Sequence, residues 1–320
     1  FPQLHQGRIE KMCRKGEVRV EGGRVKPATR VSPGQSIRVP PLPETPAPLV
    51  ETSPTVSDAD AEMIRSAVIY KDDHVIALNK PPGLATQGGT GQTRHLVMLA
   101  EALKFDRTDA PRVVHRLDRD TSGVILLART GAAATALSKA FQSRDSRKLY
   151  WAAVAGAPRP RTATIRFGLV KAGGRGSEKM RCVHPNEVET TDGAKRATTD
   201  YAVIENTGQR AAWVALRPIT GRTHQLRAHM AEIGHPIVGD GKYGSNSQTN
   251  EGEGWGAQLG GGISRKLHLH ARAISLAHPA DPARMLTVTA PLPEHMTRSW
   301  EFFQWREEDA SADPFEEASS

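Results

Sequence analysis

VVHRLDRDTSGVILLAR, residues 113–129, sets the carboxylate of Asp118 between Arg116 and Arg119, with His115 before it and a Thr-Ser-Gly turn behind. The run GVILLART, 123–130, is apolar, branched and too short for an ordinary helix, so it is expected to be a central buried strand. An aspartate at the mouth of a strand is in most proteins a cap or turn residue, because its carboxylate accepts neighbouring N–H bonds. The flanking guanidinium groups support a second reading. They favour the ionised carboxylate, which suits a nucleophile or an electrostatic stabiliser and not a proton donor. Arg116 and Asp118 stand two apart, so on an extended segment both side chains emerge on one face.

Outward from this stretch the pattern is mostly strand. SAVIYKDDHVIALNK reads as a hairpin turning at Asp72-Asp73, and Pro81-Pro82-Gly83 must then leave the sheet because successive prolines cannot donate ladder bonds. KLYWAAVAG, TATIRFGLV, KRATTDYAVIEN, AAWVALRPI, KLHLHARAISLAHP and RMLTVTAPLP read as further strands, and GAAATALSKAF as a helix. RTHQLRAHMAEIG, 222–234, changes period: Leu226, Met230 and Ile233 make an amphipathic helix closed by Gly234. Arg227 lies three residues after His224, away from that apolar stripe, where it can face a cleft. The expected fold class is α+β, with a large mixed, mostly antiparallel sheet flanked by helices and a small α/β module in front.

The front module is residues 1–39. In GRIEKMCRKG, Ile9, Met12 and Cys13 form one helix face, leaving Arg8, Lys11, Arg14 and Lys15 on the others, and EVRVEGGRV and VSPGQSIRV add strands and turns. Residues 40–62, rich in Pro, acids and small polar residues, read as an extended linker, residues 63–306 as the main domain, and 307–320 as an acidic tail. The glycine-rich stretch 244–262 reads as a flexible insertion.

The net charge is +8, and without the six acids of the tail residues 1–306 stand at +14, an excess that attracts polyanions, nucleic acid first. No apolar run approaches the ~20 residues that cross a bilayer. Cys13 and Cys182 are far apart and outside any C-x-x-C pattern, which argues against a disulfide framework and a thiolate zinc site. With no basic-then-apolar leader after Phe1, a reducing cytoplasmic setting is expected. His115, His224, His229, His268 and His270 invite a metal reading, but His224 and His229 are five apart where aligned helical ligands need four, and nearby arginines oppose a cation. Ser122 lies in T-S-G, not G-x-S-x-G, so a serine hydrolase is excluded.

HRLDRDTSG (115–123), NKPPGLATQGG (79–89), RKLYWAAVAG (147–156) and TGRTHQLRAHMAEIGHPIVGDGKYG (220–244) together resemble, in content and order, the RluA-type ribosomal large-subunit pseudouridine synthases. The resemblance covers nearly all of residues 66–292, and the front module is similar to the alpha-L, or S-four type, RNA-binding module, lacking that module's first helix. It implies isomerisation of uridine to pseudouridine in RNA, most of all large-subunit ribosomal RNA, with neither metal nor organic cofactor. Asp118 matches the nucleophilic aspartate, Tyr150 the active-site tyrosine that stacks on the uracil, and Arg227 the basic residue that pairs with the carboxylate. Arg116 matches the arginine that fills the RNA stack after the base leaves, a task suited to a planar cation. Further RNA contacts are expected from His115, Thr121, Arg222, Thr223, His224, Gln225 and Lys80, and from Arg8, Lys11, Arg14 and Lys15 of the front module. A monomer is the default, and no membrane is involved. Two rival readings stand beside this one: a synthase acting on transfer RNA or another RNA, and a noncatalytic RNA-binding or ribosome-assembly protein, for which Asp118 would be dispensable.

Overall fold

Ser122–Ala128 is buried at every residue and runs through the middle of the largest sheet, as the apolar run behind Asp118 requires. The computed structural model describes residues 4, 6–42, 56–88, 93–143, 145–173, 178–244, 262–311 and 313–315. They fall into two units, Phe1–Thr55 and Val56–Ser320. The glycine-rich stretch expected as an insertion lies, apart from its ends, outside the described residues.

The first unit has helix α1 (Gln6–Lys15) and three short antiparallel strands, β1 (Arg19–Val20), β2 (Gly23–Arg24) and β3 (Ile37–Arg38), in the order β2-β1-β3. Met12 and Cys13 are its buried helix residues, whereas Ile9, expected on the same face, is exposed. Arg8, Lys11, Arg14 and Lys15 are all exposed.

The second unit begins with α2 (Asp58–Ser66), β4 (Val68–Lys71), β5 (Val75–Lys80), α3 (Leu96–Leu99), β6 (Arg112–Val113), β7 (Ser122–Ala128) and α4 (Gly131–Ala140). There follow β8 (Arg147–Ala155), β9 (Thr162–Ile165), β10 (Gly168–Lys171), β11 (Met180–Val183), β12 (Lys195–Arg196), β13 (Thr199–Thr207) and β14 (Ala211–Pro218). The chain continues through α5 (Gln225–Glu232), β15 (Leu269–His278), β16 (Asp281–Thr289) and α6 (Glu294–Phe303). The main sheet runs β4-β5-β7-β15-β8-β14-β13-β9, with β16 also on β15 and β6 also on β7. Among the described residues β7 and β15 are its parallel pair, and the other pairings are antiparallel. TATIRFGLV, read as one strand, is two: β9 joins the main sheet, while β10 starts a separate sheet, β11-β10-β12.

Both faces of β5 and β7 are covered, which is why they read as continuous apolar runs. Ile76, Leu78, Ile125 and Leu127 pack with Ile64 of α2 and Leu96 and Leu99 of α3. Val75, Ala77, Val124 and Leu126 point the other way, onto Ala133 and Leu137 of α4. Beyond β15, Trp151 and Trp213 pack with Trp300 and Phe303 of α6 and with Trp305.

Two expected boundaries move. The linker does not extend to residue 62, because α2 starts at Asp58: Ser57 Oγ accepts the Asp60 N–H, and Asp58 and Asp60 suit the positive end of a helix. The acids that looked like spacer composition are a helix start. The acidic tail, too, is folded as far as it is described: Arg272 pairs with Glu307 at 2.8 Å, Arg147 with Asp313 at 2.8 Å, and Pro314 is buried. No helix among the described residues is long and apolar enough to cross a membrane.

Of the histidines weighed as metal ligands, His268 and His270 have both ring nitrogens occupied within the protein. His268 meets Lys266 O (2.8 Å) and Ser299 Oγ (2.7 Å), and His270 meets Ser122 Oγ (2.9 Å) and Ala290 O (3.2 Å). Burial pushes His268 down to about 3 and His270 and His229 to about 4. Unfolded histidine titrates near 6.5, so the unfolded chain holds more protons below that pH, and stability, full above it, is lost as pH falls toward the folded values. Urea unfolding is expected to show the free energy dropping by roughly 1 kcal/mol or more per pH unit between about pH 6 and 4. A flat profile there would contradict the buried, neutral assignment.

Gly123 has φ of 108°, and a Cβ there would sit 2.2 Å from the carbonyl oxygen of Ala271, its parallel neighbour on β15. Any other residue must break the β7–β15 contact directly behind Asp118. Gly123→Ala is expected to cost about 2–4 kcal/mol in chemical denaturation.

Candidate active site

Asp118 sits on the loop between β6 and β7, and that loop is fastened to the proline turn after β5. Thr86 Oγ1 donates to Leu117 O (2.7 Å) and accepts the Leu117 N–H (3.2 Å), while Gly83 N–H donates to Arg119 O (2.9 Å) and Arg119 Nε to Gly83 O (3.2 Å). Lys80, expected to touch RNA, is instead fully buried and donates to Pro81 O (3.0 Å), Leu84 O (2.8 Å) and Arg119 O (3.0 Å). Burial pulls its pKa down to about 7, against the charges of Asp120 and Asp118. Three carbonyls matching the three donors of an ammonium make it a clasp between the two loops.

His115 is also turned inward. Its Nε2 accepts the Leu126 N–H at 2.8 Å, and its ring lies 4.2 Å from that of Phe141. Burial, helped by Lys148, pushes it down to about 3, so it is a neutral anchor for the loop and not a cation for phosphate.

The groups that reach Asp118 are not its sequence neighbours. Arg116 is exposed on the cleft wall and Arg119 faces Gly83. Among the described residues it is Arg227 Nη1, at 3.5 Å, and His224 Nε2, at 3.8 Å, that face Asp118 Oδ2. Arg227 is buried, and its guanidinium is gripped by Asp240, Nε to Oδ2 at 2.7 Å and Nη2 to Oδ1 at 2.8 Å. Burial alone would lower its pKa, but Asp240 and then Asp118 outweigh it, and the pKa is raised.

Helix α5 starts at Gln225, three residues later than expected, because His224 takes a left-handed conformation (φ 52°). That turn, and not a shared helix face, aims both His224 and Arg227 at Asp118. Tyr243 Oη accepts the Met180 N–H (2.8 Å) and shares a hydrogen bond with His224 Nδ1 (3.0 Å), which holds the imidazole with its Nε2 toward Asp118. Burial lowers the pKa of His224, with the charge of Asp118 opposing. The ring lines the cleft with Nε2 3.8 Å from the carboxylate, although little of it is exposed. Asp240 and Tyr243 were not singled out in the sequence; the available signal was an acid and an aromatic in the tight glycine turn GDGKYG.

These groups open into one cleft of about 950 Å³. Asp118, Arg116, Tyr150, Thr121, Thr223 and Arg222 are on its wall. Tyr150, on β8, is half-buried, and burial together with the charge of Asp118 pushes its phenol up. The Thr121 hydroxyl is buried and makes no hydrogen bond among the described residues. Arg222 is exposed, with Nε on Arg196 O at 3.2 Å, and Thr223 is exposed beside it. Gln225, expected to contact RNA, is a brace: its amide joins Thr220, the Arg222 N–H, Thr198 O and Thr199, which uses all its bonding capacity.

The structure brings together a carboxylate facing a cleft, a phenol on the same wall and a buried cation behind. Residues 74–232 match the family model described as RNA pseudouridylate synthase. Ribosomal large subunit pseudouridine synthase C of Escherichia coli (strain K12) is 33% identical, over 91% of this chain and 86% of that protein. The chain belongs to the RNA pseudouridylate synthase family. RNA pseudouridine synthase 4, mitochondrial, of Arabidopsis thaliana is 37% identical over 83% of this chain and 65% of that protein, so the chain spans under two thirds of that relative's length. Among solved structures, human RNA pseudouridylate synthase domain containing 4 superposes with a TM-score of 0.62 at 27% identity, over 76% of this chain and 95% of that one. As a pseudouridine synthase the protein is an isomerase acting on RNA.

In this synthase the Arg227–Asp240 pair should matter to the fold as well as the site, since losing one member of a buried pair strands the other's charge. Asp240→Asn is expected to destabilise by about 3–5 kcal/mol in urea titration. Glu189→Gln, which breaks the exposed pair of Glu189 with Arg196 at 2.6 Å, should cost below about 1 kcal/mol in the same measurement.

Proposed function

We propose that this protein converts uridine to pseudouridine in large-subunit ribosomal RNA, as a cytoplasmic monomer, with Asp118 as the nucleophile. The observation that carries this reading is the position of Asp118: its carboxylate is about one-fifth exposed, to the cleft alone described above, and Arg227 behind it is already matched by Asp240. The ribosomal target is supported by the 33% identity with the Escherichia coli synthase named for the large subunit. Two unpaired thiols, Cys13 and Cys182, fit a reducing compartment.

Chemistry on the glycosidic bond of a stacked nucleotide requires that the nucleotide be extruded. Arg116, exposed on the wall near Asp118, can stack in the gap as a planar cation. The exposed cations of the first unit, Arg8, Lys11, Arg14 and Lys15, together with Arg222 and Thr223 at the cleft, add contacts to phosphate. Asp118 then adds either to C1′ of the sugar or to the pyrimidine ring. By either route the C1′–N1 bond breaks, a C1′–C5 bond forms, C5 gives up its proton and N1 gains one, so the product is an isomer and needs no co-reactant.

Tyr150 enters late in this sequence. While Asp118 is ionised, its charge helps hold the phenol protonated. The phenol takes the C5 proton only in a relay, passing its own proton to the Asp118 carboxylate as the covalent bond to the nucleoside breaks.

Asp118→Asn is expected to abolish pseudouridine formation on large-subunit RNA, mapped chemically, while RNA affinity stays within about threefold, because a neutral isostere keeps the cleft's shape. Tyr150→Phe should lower kcat by about a hundredfold or more with little change in RNA binding. Activity retained in Asp118→Asn would favour the noncatalytic reading, and activity confined to transfer RNA would move the target.

A further inference from the structure

Arg147 and Arg217 stand on the wall of the catalytic cleft, and neither belongs to the constellation around Asp118. Each is occupied by a residue from the acidic end of the chain. Arg147 Nη1 donates to Asp313 Oδ2 at 2.8 Å, and the guanidinium of Arg217 lies 4.3 Å from the centre of the Phe315 ring. Phe315 N–H donates to Asp313 Oδ1 at 3.0 Å, so the carboxylate and the ring are presented from one tight turn.

The two arginines are prepared differently. Arg217, on β14, is held by its cross-strand partner Asp200: Nε and Nη2 both donate to Asp200 Oδ2, at 3.1 and 3.0 Å, and Thr164 Oγ1 donates to Asp200 Oδ1 at 2.7 Å. With its edge fixed and its charge matched, what Arg217 offers is a flat face. Such a face stacks aromatic rings, nucleobases included. Arg147 is the more exposed of the two and offers its edge to an anion. A carboxylate on one and a phenyl ring on the other reproduce the two halves of a nucleotide, phosphate and base.

We propose that Arg147 and Arg217 form a nucleotide subsite at the rim of the cleft, taking a backbone phosphate on Arg147 and a neighbouring base on Arg217. Asp313 and Phe315 fill it as an internal mimic until RNA displaces them. The proposal rests on the reading of the cleft as an RNA site and adds a subsite, and a competitor, to it. Displacement is feasible because one partly exposed ion pair and one half-buried cation–π contact are few contacts to give up, whereas RNA brings many phosphates and releases counterions along its length. Occupation by the chain's own acid should also reduce the salt dependence of binding, since Arg147 is partly neutralised before RNA arrives.

The test measures binding of fluorescein-labelled oligouridylate by anisotropy, and turnover on a large-subunit ribosomal RNA transcript, for the full chain and its variants. Asp313→Asn combined with Phe315→Ala should tighten oligouridylate binding by about three- to tenfold and steepen its salt dependence, with the gain appearing in Kd and in KM. In that background Arg147→Ala and Arg217→Ala should each weaken binding by more than they do in the wild-type chain. Asp313→Asn alone is isosteric and should move affinity in the same direction, so a poorly folded double variant does not decide the matter. Unchanged or weaker affinity in Asp313→Asn, or no added effect of the two arginine substitutions once the mimic is removed, overturns the subsite. If no variant, the wild type included, forms pseudouridine while the affinity pattern holds, the isomerase reading falls and the subsite stands; if pseudouridine forms and affinity does not respond, the reverse is true.

Discussion

The Arg227 guanidinium sits between two carboxylates, and the geometry makes them unequal. Asp240 is buried and takes two short, parallel hydrogen bonds at 2.7 and 2.8 Å, while Asp118 stands off at 3.5 Å on the cleft side. One positive charge cannot neutralise two negative ones. Because the bidentate pair is the strong one, the surplus negative charge resides on Asp118, where it faces the substrate. Without Asp240 the buried guanidinium, which keeps its charge, would pair closely with Asp118 and neutralise the nucleophile.

The rest of the second unit can be understood as support for that arrangement. β7 fixes the far end of the Asp118 loop, and its parallel contact with β15 at Gly123 leaves no room for a side chain. Lys80 and Thr86 fasten the same loop from the other side through backbone carbonyls. Gly239 brings Asp240 into place by passing so close to Lys266 that a Cβ would lie 2.0 Å from its carbonyl oxygen. β8 then sets Tyr150 near enough to feel the charge on Asp118. Such rigid framing is what pre-organised catalysis needs, since a charge held in place costs nothing to orient at the moment of reaction.

Positive charge is used in two ways in this protein. Arg227 and Lys80 are buried, and their charges fix geometry. Arg116, Arg222 and the helix α1 cations are exposed, and a polyanion can reach them. Arg147 and Arg217 fall between these groups: they line the cleft, yet acids and an aromatic ring of the same chain already lie on them. A count of basic residues cannot separate these roles, because burial decides them.

The sequence by itself determined most strands of the main sheet and the helices α1, α4 and α5, though not α2, α3 or α6, since periodicity of 2 or 3.6 records which faces are buried, and the motif order brought out Asp118, Tyr150, Arg227 and Arg116. It did not disclose that the carboxylate's partner is Arg227, 109 residues away, in place of the adjacent Arg116 and Arg119. Nor did it show that Lys80, His115 and Gln225 turn inward, that Asp240 and Tyr243 complete the site, or that the acidic end packs as far as Phe315. Lysine, histidine and glutamine have the same local pattern whether they meet water, RNA or a buried carbonyl. Local sequence fixes which side of an element is apolar, but the partner of a polar group is chosen where distant segments meet, and only the folded chain brings those segments together.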